Sequence, residues 1–221
     1  MLFKKRLTLF CGHYGSGKTN IAVNAAISLK EEYDNIALAD LDIVNPYFRT
    51  KDSSELLSKN GIRLICSNYA NSNVDIPALP QDIYAITDDK SLKCILDIGG
   101  DDRGALVLGR ISDKILEEND YEMLMVINSF RPLTRDAAST VEVLSEIETA
   151  ARMKFTGLVN NSNLGEETTA QDVLDSVFYA QEVSKATGLP VVATTVKSQL
   201  YDELVGKVDN LLLMKLQDKI I

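Results

Sequence analysis

The chain has 221 residues, 45% of them hydrophobic and 25% charged, with a formal net charge of −9. A chain of that length buries roughly 70% of its unfolded surface, so a single domain over 1–221 is expected, without disulfide or metal staples. The acidic balance argues against DNA and membrane partners, because neutralising nucleic-acid phosphates or anionic lipids takes a basic face.

Lys4, Lys5 and Arg6 are followed only by Leu7–Cys11 before a glycine. That apolar run is too short for a signal-peptide core, and no stretch approaches the ~20 apolar residues that span a bilayer. Cys11, Cys66 and Cys94 form no CxxC pair and read as small buried hydrophobes in a reducing compartment. The expected location is the cytoplasm.

Leu7–Cys11 is the first predicted strand, and it runs into GHYGSGKT, Gly12–Thr19. Every fixed position of G-x-x-x-x-G-K-[ST] is matched. Consecutive backbone N–H groups can wrap phosphate oxygens only where the chain curls tightly, and Gly12, Gly15 and Gly17 permit that curl. A helix predicted over Lys18–Glu32 adds its N-terminal dipole. The nucleotide-binding candidates are therefore Gly12, His13, Tyr14, Gly15, Ser16, Gly17, Lys18, Thr19 and Asn20. The Lys18 ammonium suits β- and γ-phosphates, which makes it a catalytic candidate too, and the Thr19 hydroxyl suits Mg²⁺. A Rossmann turn would read G-x-G-x-x-G and has no role for Lys-Thr; these glycines read G-x-x-G-x-G.

Strands are predicted next at Ile36–Asp40 and Ile62–Ile65. Ser67–Pro80 is irregular, a long loop that is either a plain connection or a lid or partner contact. Then come strand Cys94–Ile98, helix Arg103–Glu118, strand Met123–Asn128, helix Thr134–Arg152, strand Phe155–Asn160, helix Thr169–Thr187, strand Val191–Val196 and helix Ser198–Lys219. Most of the strands are continuous apolar runs, as expected when helices cover both faces. The alternation predicts an α/β fold: three layers, doubly wound, with a mainly parallel sheet.

Ligands bind at the carboxyl ends of such strands, and acids cluster there. ALADLDIVNPYF carries Asp40 and Asp42; CILDIGGDDRGA carries Asp97. With Thr19, Asp97 and Asp40 are the candidate metal-site residues, Asp97 orienting the waters of a nucleotide-bound Mg²⁺. Asp42 is the candidate for orienting an attacking water, with N-cap or loop chemistry as the competing explanation. Gly99 and Gly100 let the backbone approach a γ-phosphate and respond to its loss. Arg103 is expected to pair with Asp101 or Asp102 on the surface.

With these motifs in hand, the sequence resembles the MinD/ParA-type P-loop ATPases of the SIMIBI class, related to the nitrogenase iron protein and to CobQ/CobB-like nucleotide-binding domains. The resemblance rests on GHYGSGKT, DLDIVNP, DIGG and GLVNNSN. It implies ATP/ADP and Mg²⁺ as cofactors, a protein partner of unstated identity and a nucleotide-dependent homodimer. The family's first motif carries an early signature lysine that reaches a partner's phosphates; here that position is His13. A neutral imidazole supplies no permanent charge, whereas a protonated one does. In related proteins an asparagine after a late strand recognises adenine; matched along GLVNN it is Asn161, with Asn160 as fallback. An amide suits adenine's donor and acceptor edge. NNSN lacks the lysine and aspartate of the guanine-reading motif, which favours ATP, and PVVATTV would line the base's other side.

The leading expectation is a Mg²⁺-dependent ATPase with slow intrinsic turnover, acting as a nucleotide switch on a protein partner. One alternative is an ATP-dependent synthetase or kinase similar to the dethiobiotin and cobyrinate synthetases, with Arg49, Arg131 and Arg135 as anion anchors. Another is a module that binds ATP without hydrolysing it.

Overall fold

A computed structural model describes residues 2–42, 54–66, 83–100 and 102–215, with the side chains of 102, 103, 106 and 107 excepted. The irregular segment Ser67–Pro80, Arg49, Asp101 and the side-chain pairing expected of Arg103 lie outside the described residues.

Among the described residues, eight strands form one sheet: β1 Leu7–Cys11, β2 Ile36–Leu41, β3 Arg63–Cys66, β4 Lys93–Ile98, β5 Tyr121–Ile127, β6 Gly157–Asn160, β7 Val191–Lys197 and β8 Leu211–Met214. Their order is β3-β2-β4-β1-β5-β6-β7-β8. Every neighbouring pair is parallel. The helices are α1 Lys18–Leu29, α2 Ser54–Lys59, α3 Ile83–Asp88, α4 Asp102–Gly109, α5 Ser112–Glu118, α6 Ala137–Ala151, α7 Ala170–Thr187 and α8 Ser198–Leu204.

Alternation along the strands divides the core between the sheet's faces. Leu7, Leu9 and Cys11 pack with residues of α4 to α7, while Phe10 packs with α1. Both faces are covered, which explains the continuous apolar strands and gives the three-layer α/β architecture expected. Parallel register places β1 between β4 and β5, so the chain crosses over β1 when it passes from one half of the sheet to the other. A crevice at the carboxyl end is the consequence.

Two predicted helices are corrected. Arg103–Glu118 is two helices, α4 and α5, separated at Arg110–Ile111. Within the described part of the predicted helix Ser198–Lys219, up to Lys215, only α8 is helical; Gly206 (φ 79°) and Asn210 (φ 52°) turn the chain, and Leu211–Met214 becomes the edge strand β8 beside β7. The helix expected from Thr134 begins at Ala137, capped by Asp136 accepting from Ser139 N–H, after a short 3₁₀ turn over Pro132–Thr134. Among the described residues, no helix is long and apolar enough to cross a membrane.

Candidate functional site

β1 ends at Cys11 and the phosphate-loop sequence follows at once. Gly12, Gly15 and Gly17 all have positive φ, at 148°, 75° and 93°. Gly17 is the left-handed N-cap of α1, so Lys18 and Thr19 open the helix. The Ser16 N–H donates to the His13 carbonyl at 3.1 Å and closes a turn. Lys18 is buried within the curl, with Nζ 3.4 Å from the His13 carbonyl. Gly12 rests against β5: a Cβ there would lie 2.4 Å from the Val126 carbonyl oxygen.

The sheet register brings the acids together. Asp40 of β2 and Asp97 of β4 are direct partners, and Asp97 is also paired with Phe10 of β1. The Thr19 hydroxyl donates to Asp97 Oδ2 at 2.6 Å. Asp97 Oδ1 is buried and has no hydrogen-bond partner among the described residues. Burial pushes the Asp97 carboxyl up to about 7; Lys18 opposes that rise, and the Asp40 charge adds to it. Asp40 Oδ1 accepts the Asp42 N–H at 3.1 Å. Hard oxygens on Thr19, Asp97 and Asp40, one of them an orphaned carboxylate oxygen, fit Mg²⁺, which needs few protein ligands when phosphates and water complete its shell. Among the described residues, no three His, Cys, Asp or Glu side chains converge to hold a metal unaided.

The glycines after β4 pack on this site. A Cβ on Gly100 would lie 2.6 Å from Tyr14 N and 2.7 Å from the Gly12 carbonyl oxygen. A Cβ on Gly99 would lie 3.2 Å from an Asp42 carboxylate oxygen. Asp42 thus sits beside the segment that covers the phosphate loop. His13 turns its Nδ1 to the Tyr14 carbonyl at 3.0 Å, and the Tyr14 side chain is exposed.

A cleft flanks the loop, bounded by Gly17 and Asn20 on one side and by Asn161, Thr195, Val196 and Lys197 on the other. Asn161 is buried in its wall, its Nδ2 donating to the Ser16 carbonyl at 2.6 Å and its Oδ1 accepting from the Thr195 hydroxyl. Asn160 points elsewhere, to Ser176 and Ser162. Two features escaped sequence reasoning. Met214 lines the cleft from a strand read as helix. Arg131, expected as an anion anchor, donates from Nε to the Gly15 carbonyl at 2.7 Å; no sequence signal marks that contact. Arg135 pairs with the adjacent Asp136 at 3.4 Å.

No protein-family model matches the sequence, and no curated protein matches it. Solved structures do. The cell division protein FtsY of Thermotoga maritima is 20% identical with a TM-score of 0.56, over 86% of this chain and 61% of that one. Chloroplast FtsY of Physcomitrella patens is 15% identical with a TM-score of 0.57, over 88% of this chain and 59% of that one. The signal recognition particle 54 kDa protein of Aeropyrum pernix K1, in complex with GDP, is 14% identical with a TM-score of 0.51, over 86% and 41%. This chain therefore spans about three fifths of the length of the FtsY chains. What this chain shares with these neighbours is the fold, the three-layer α/β P-loop architecture.

Proposed function

We propose that this chain is a Mg²⁺-dependent ATP-binding protein and slow ATPase that works as a nucleotide-state switch on a protein partner. The observation that carries this reading is the hydrogen bond from Thr19 to the half-satisfied Asp97 carboxylate, at the foot of a loop closed by buried Lys18. In this reading the loop amides and Lys18 hold the polyphosphate, while Thr19, Asp97 and Asp40 hold the metal. Mg²⁺, when bound with nucleotide, would offset charge on the phosphates. Asp42 orients water beside Gly99, and Gly99–Gly100 report whether the γ-phosphate is present.

The cleft supports one base over the other. Reading guanine takes a carboxylate for its ring N–H and amine. None of the described cleft-lining residues is acidic, and Asn161 and Thr195, bonded to each other, keep a second amide N–H and lone pairs for a base. That composition supports adenine. A second reading, a guanine nucleotide, is favoured by structural neighbours captured with GDP. Calorimetry with Mg²⁺ and each of ATP, ADP, GTP and GDP separates the two. Heat with the adenosine pair alone is expected, and heat with the guanosine pair alone reverses the assignment. Lys18→Ala is expected to abolish binding; retained affinity in that variant removes the phosphate site itself.

A further inference from the structure

We propose that Arg131 is a positioning residue that, with Asn161, clamps two successive carbonyls of the phosphate loop from outside and thereby presets its amides for a polyphosphate. The inference rests on the reading of Gly12–Thr19 as a nucleotide site.

In a trans peptide the C=O of one residue and the N–H of the next point in opposite directions. Arg131 Nε holds the Gly15 carbonyl at 2.7 Å, so the Ser16 N–H turns inward, where it closes onto His13. Asn161 Nδ2 holds the Ser16 carbonyl at 2.6 Å, so the Gly17 N–H turns to the concave side. Both jaws lie flush on glycines. A Cβ on Gly17 would fall 2.2 Å from Asn161 Nδ2, and one on Gly15 would fall 3.4 Å from Arg131 Nε. Gly17 thus serves the clamp's close approach as well as the curl, whereas a side chain at Gly15 would merely touch Arg131 and that glycine answers to its positive φ.

The jaws are themselves fixed. Asn128 accepts from the N–H groups of Phe130 at 3.0 Å and Arg131 at 3.1 Å, and its carbonyl also accepts the Thr134 hydroxyl at 2.8 Å. That turn is tied to the loop carrying Asn161: Ser129 N–H donates to the Ser162 hydroxyl at 3.0 Å, and Ser162 donates to Asn160 Oδ1 at 2.8 Å. Among the described residues, no carboxylate draws Arg131 away in an ion pair. A guanidinium held this way acts on loop geometry, so its loss falls on every nucleotide whose phosphates the loop wraps.

The test is titration calorimetry of wild type, Arg131→Gln and Arg131→Lys with the preferred nucleoside diphosphate and triphosphate plus Mg²⁺, alongside ligand-free melting curves. Arg131→Gln is expected to weaken both nucleotides equally, by about tenfold or more, as loss of a charge-assisted hydrogen bond implies. The ligand-free melting temperature stays at the wild-type value, and Arg131→Lys, which keeps a charged donor, recovers part of the affinity. Wild-type affinity in Arg131→Gln overturns the clamp. A loss confined to the triphosphate also overturns it, because that pattern means direct contact with the γ-phosphate. Should Arg131→Gln fail to fold, Arg131→Lys decides by the same comparison of the two nucleotides. A wild-type chain that binds neither nucleotide overturns the nucleotide reading, and the clamp with it.

Discussion

Asp97 is a carboxylate whose surroundings work against its charge. It is 1% exposed, burial raises its pKa to about 7, and Asp40 and Asp42 add to the rise. A folded-state pKa above the unfolded value of about 3.9 means that the native state binds more protons across that interval. This group's contribution therefore favours the ligand-free fold at low pH and declines as pH climbs from about 4 to about 7. A Mg²⁺–nucleotide complex brings positive charge to the ionised carboxylate, so its stabilisation is expected to grow over the same window. Thermal melts at pH 5.5 and pH 8, with and without Mg²⁺ and ATP, check this; an equal rise at both pH values contradicts it. Asp97→Asn is expected to flatten the ligand-free pH dependence relative to wild type and to remove the effect of Mg²⁺. Asp42 allows a cleaner separation of roles, since its side chain lies beside Gly99 and outside the Gly12–Thr19 loop. Asp42→Ala is expected to retain nucleotide affinity while single-turnover hydrolysis falls by about tenfold to a hundredfold or more. Hydrolysis at the wild-type rate removes Asp42 from the chemistry.

At the scale of elements, the contact that couples β4 to the phosphate loop is backbone on backbone. Gly100→Ala would drive a methyl carbon to within 2.6 Å of Tyr14 N, so either the loop or the segment after β4 must shift. Nucleotide affinity is expected to fall by about tenfold or more, a cost of one to a few kcal/mol for a clash that rigid backbone cannot absorb; calorimetry measures it. Close approaches of this kind leave only a trace in sequence: the pair Gly99–Gly100 suggests backbone approaching a γ-phosphate, with no sign that it packs on Gly12 and Tyr14. The strands were legible because parallel strands covered on both faces are apolar throughout, and β1 ends where its composition changes, at Gly12. The C-terminal region was not. Leu204, Val208, Leu211 and Leu212 fall at helical spacing, yet Gly206 and Asn210 adopt left-handed backbone and split the run into α8 and β8. A four-residue apolar strand carries too little periodicity to announce itself. The candidate site divides the same way: Gly12–Thr19 and Asp97 stand out in sequence through residue type and spacing. Arg131 becomes visible only when the turn after β5 lies against Gly15.

Across the whole molecule, the two ends of the sheet do different work. The carboxyl end gathers the phosphate loop, the acids and the cleft, while the amino end fastens the chain's first residues. There Lys93, at the start of β4, is 2% exposed; its Nζ donates to the Phe3 carbonyl at 2.6 Å and also to the Lys5 carbonyl, and it sits 5.3 Å from the Tyr33 ring centroid. Arg6 reinforces this end by pairing with Glu118 and donating to the Ile86 and Leu92 carbonyls, each at 3.0 Å. These groups hold main-chain carbonyls that burial would otherwise leave without a donor. Lys93→Met keeps the aliphatic stem and removes the ammonium, so it is expected to lower the unfolding free energy by about 1–3 kcal/mol. β4 separates this staple from Asp97, and among the described residues its hydrogen-bond partners, Phe3 and Lys5, lie outside the Gly12–Thr19 loop. Nucleotide affinity of the folded variant should therefore match wild type. Urea denaturation and calorimetry on the same preparation test both halves; an affinity loss matching the stability loss would mean that the two ends are coupled through the sheet.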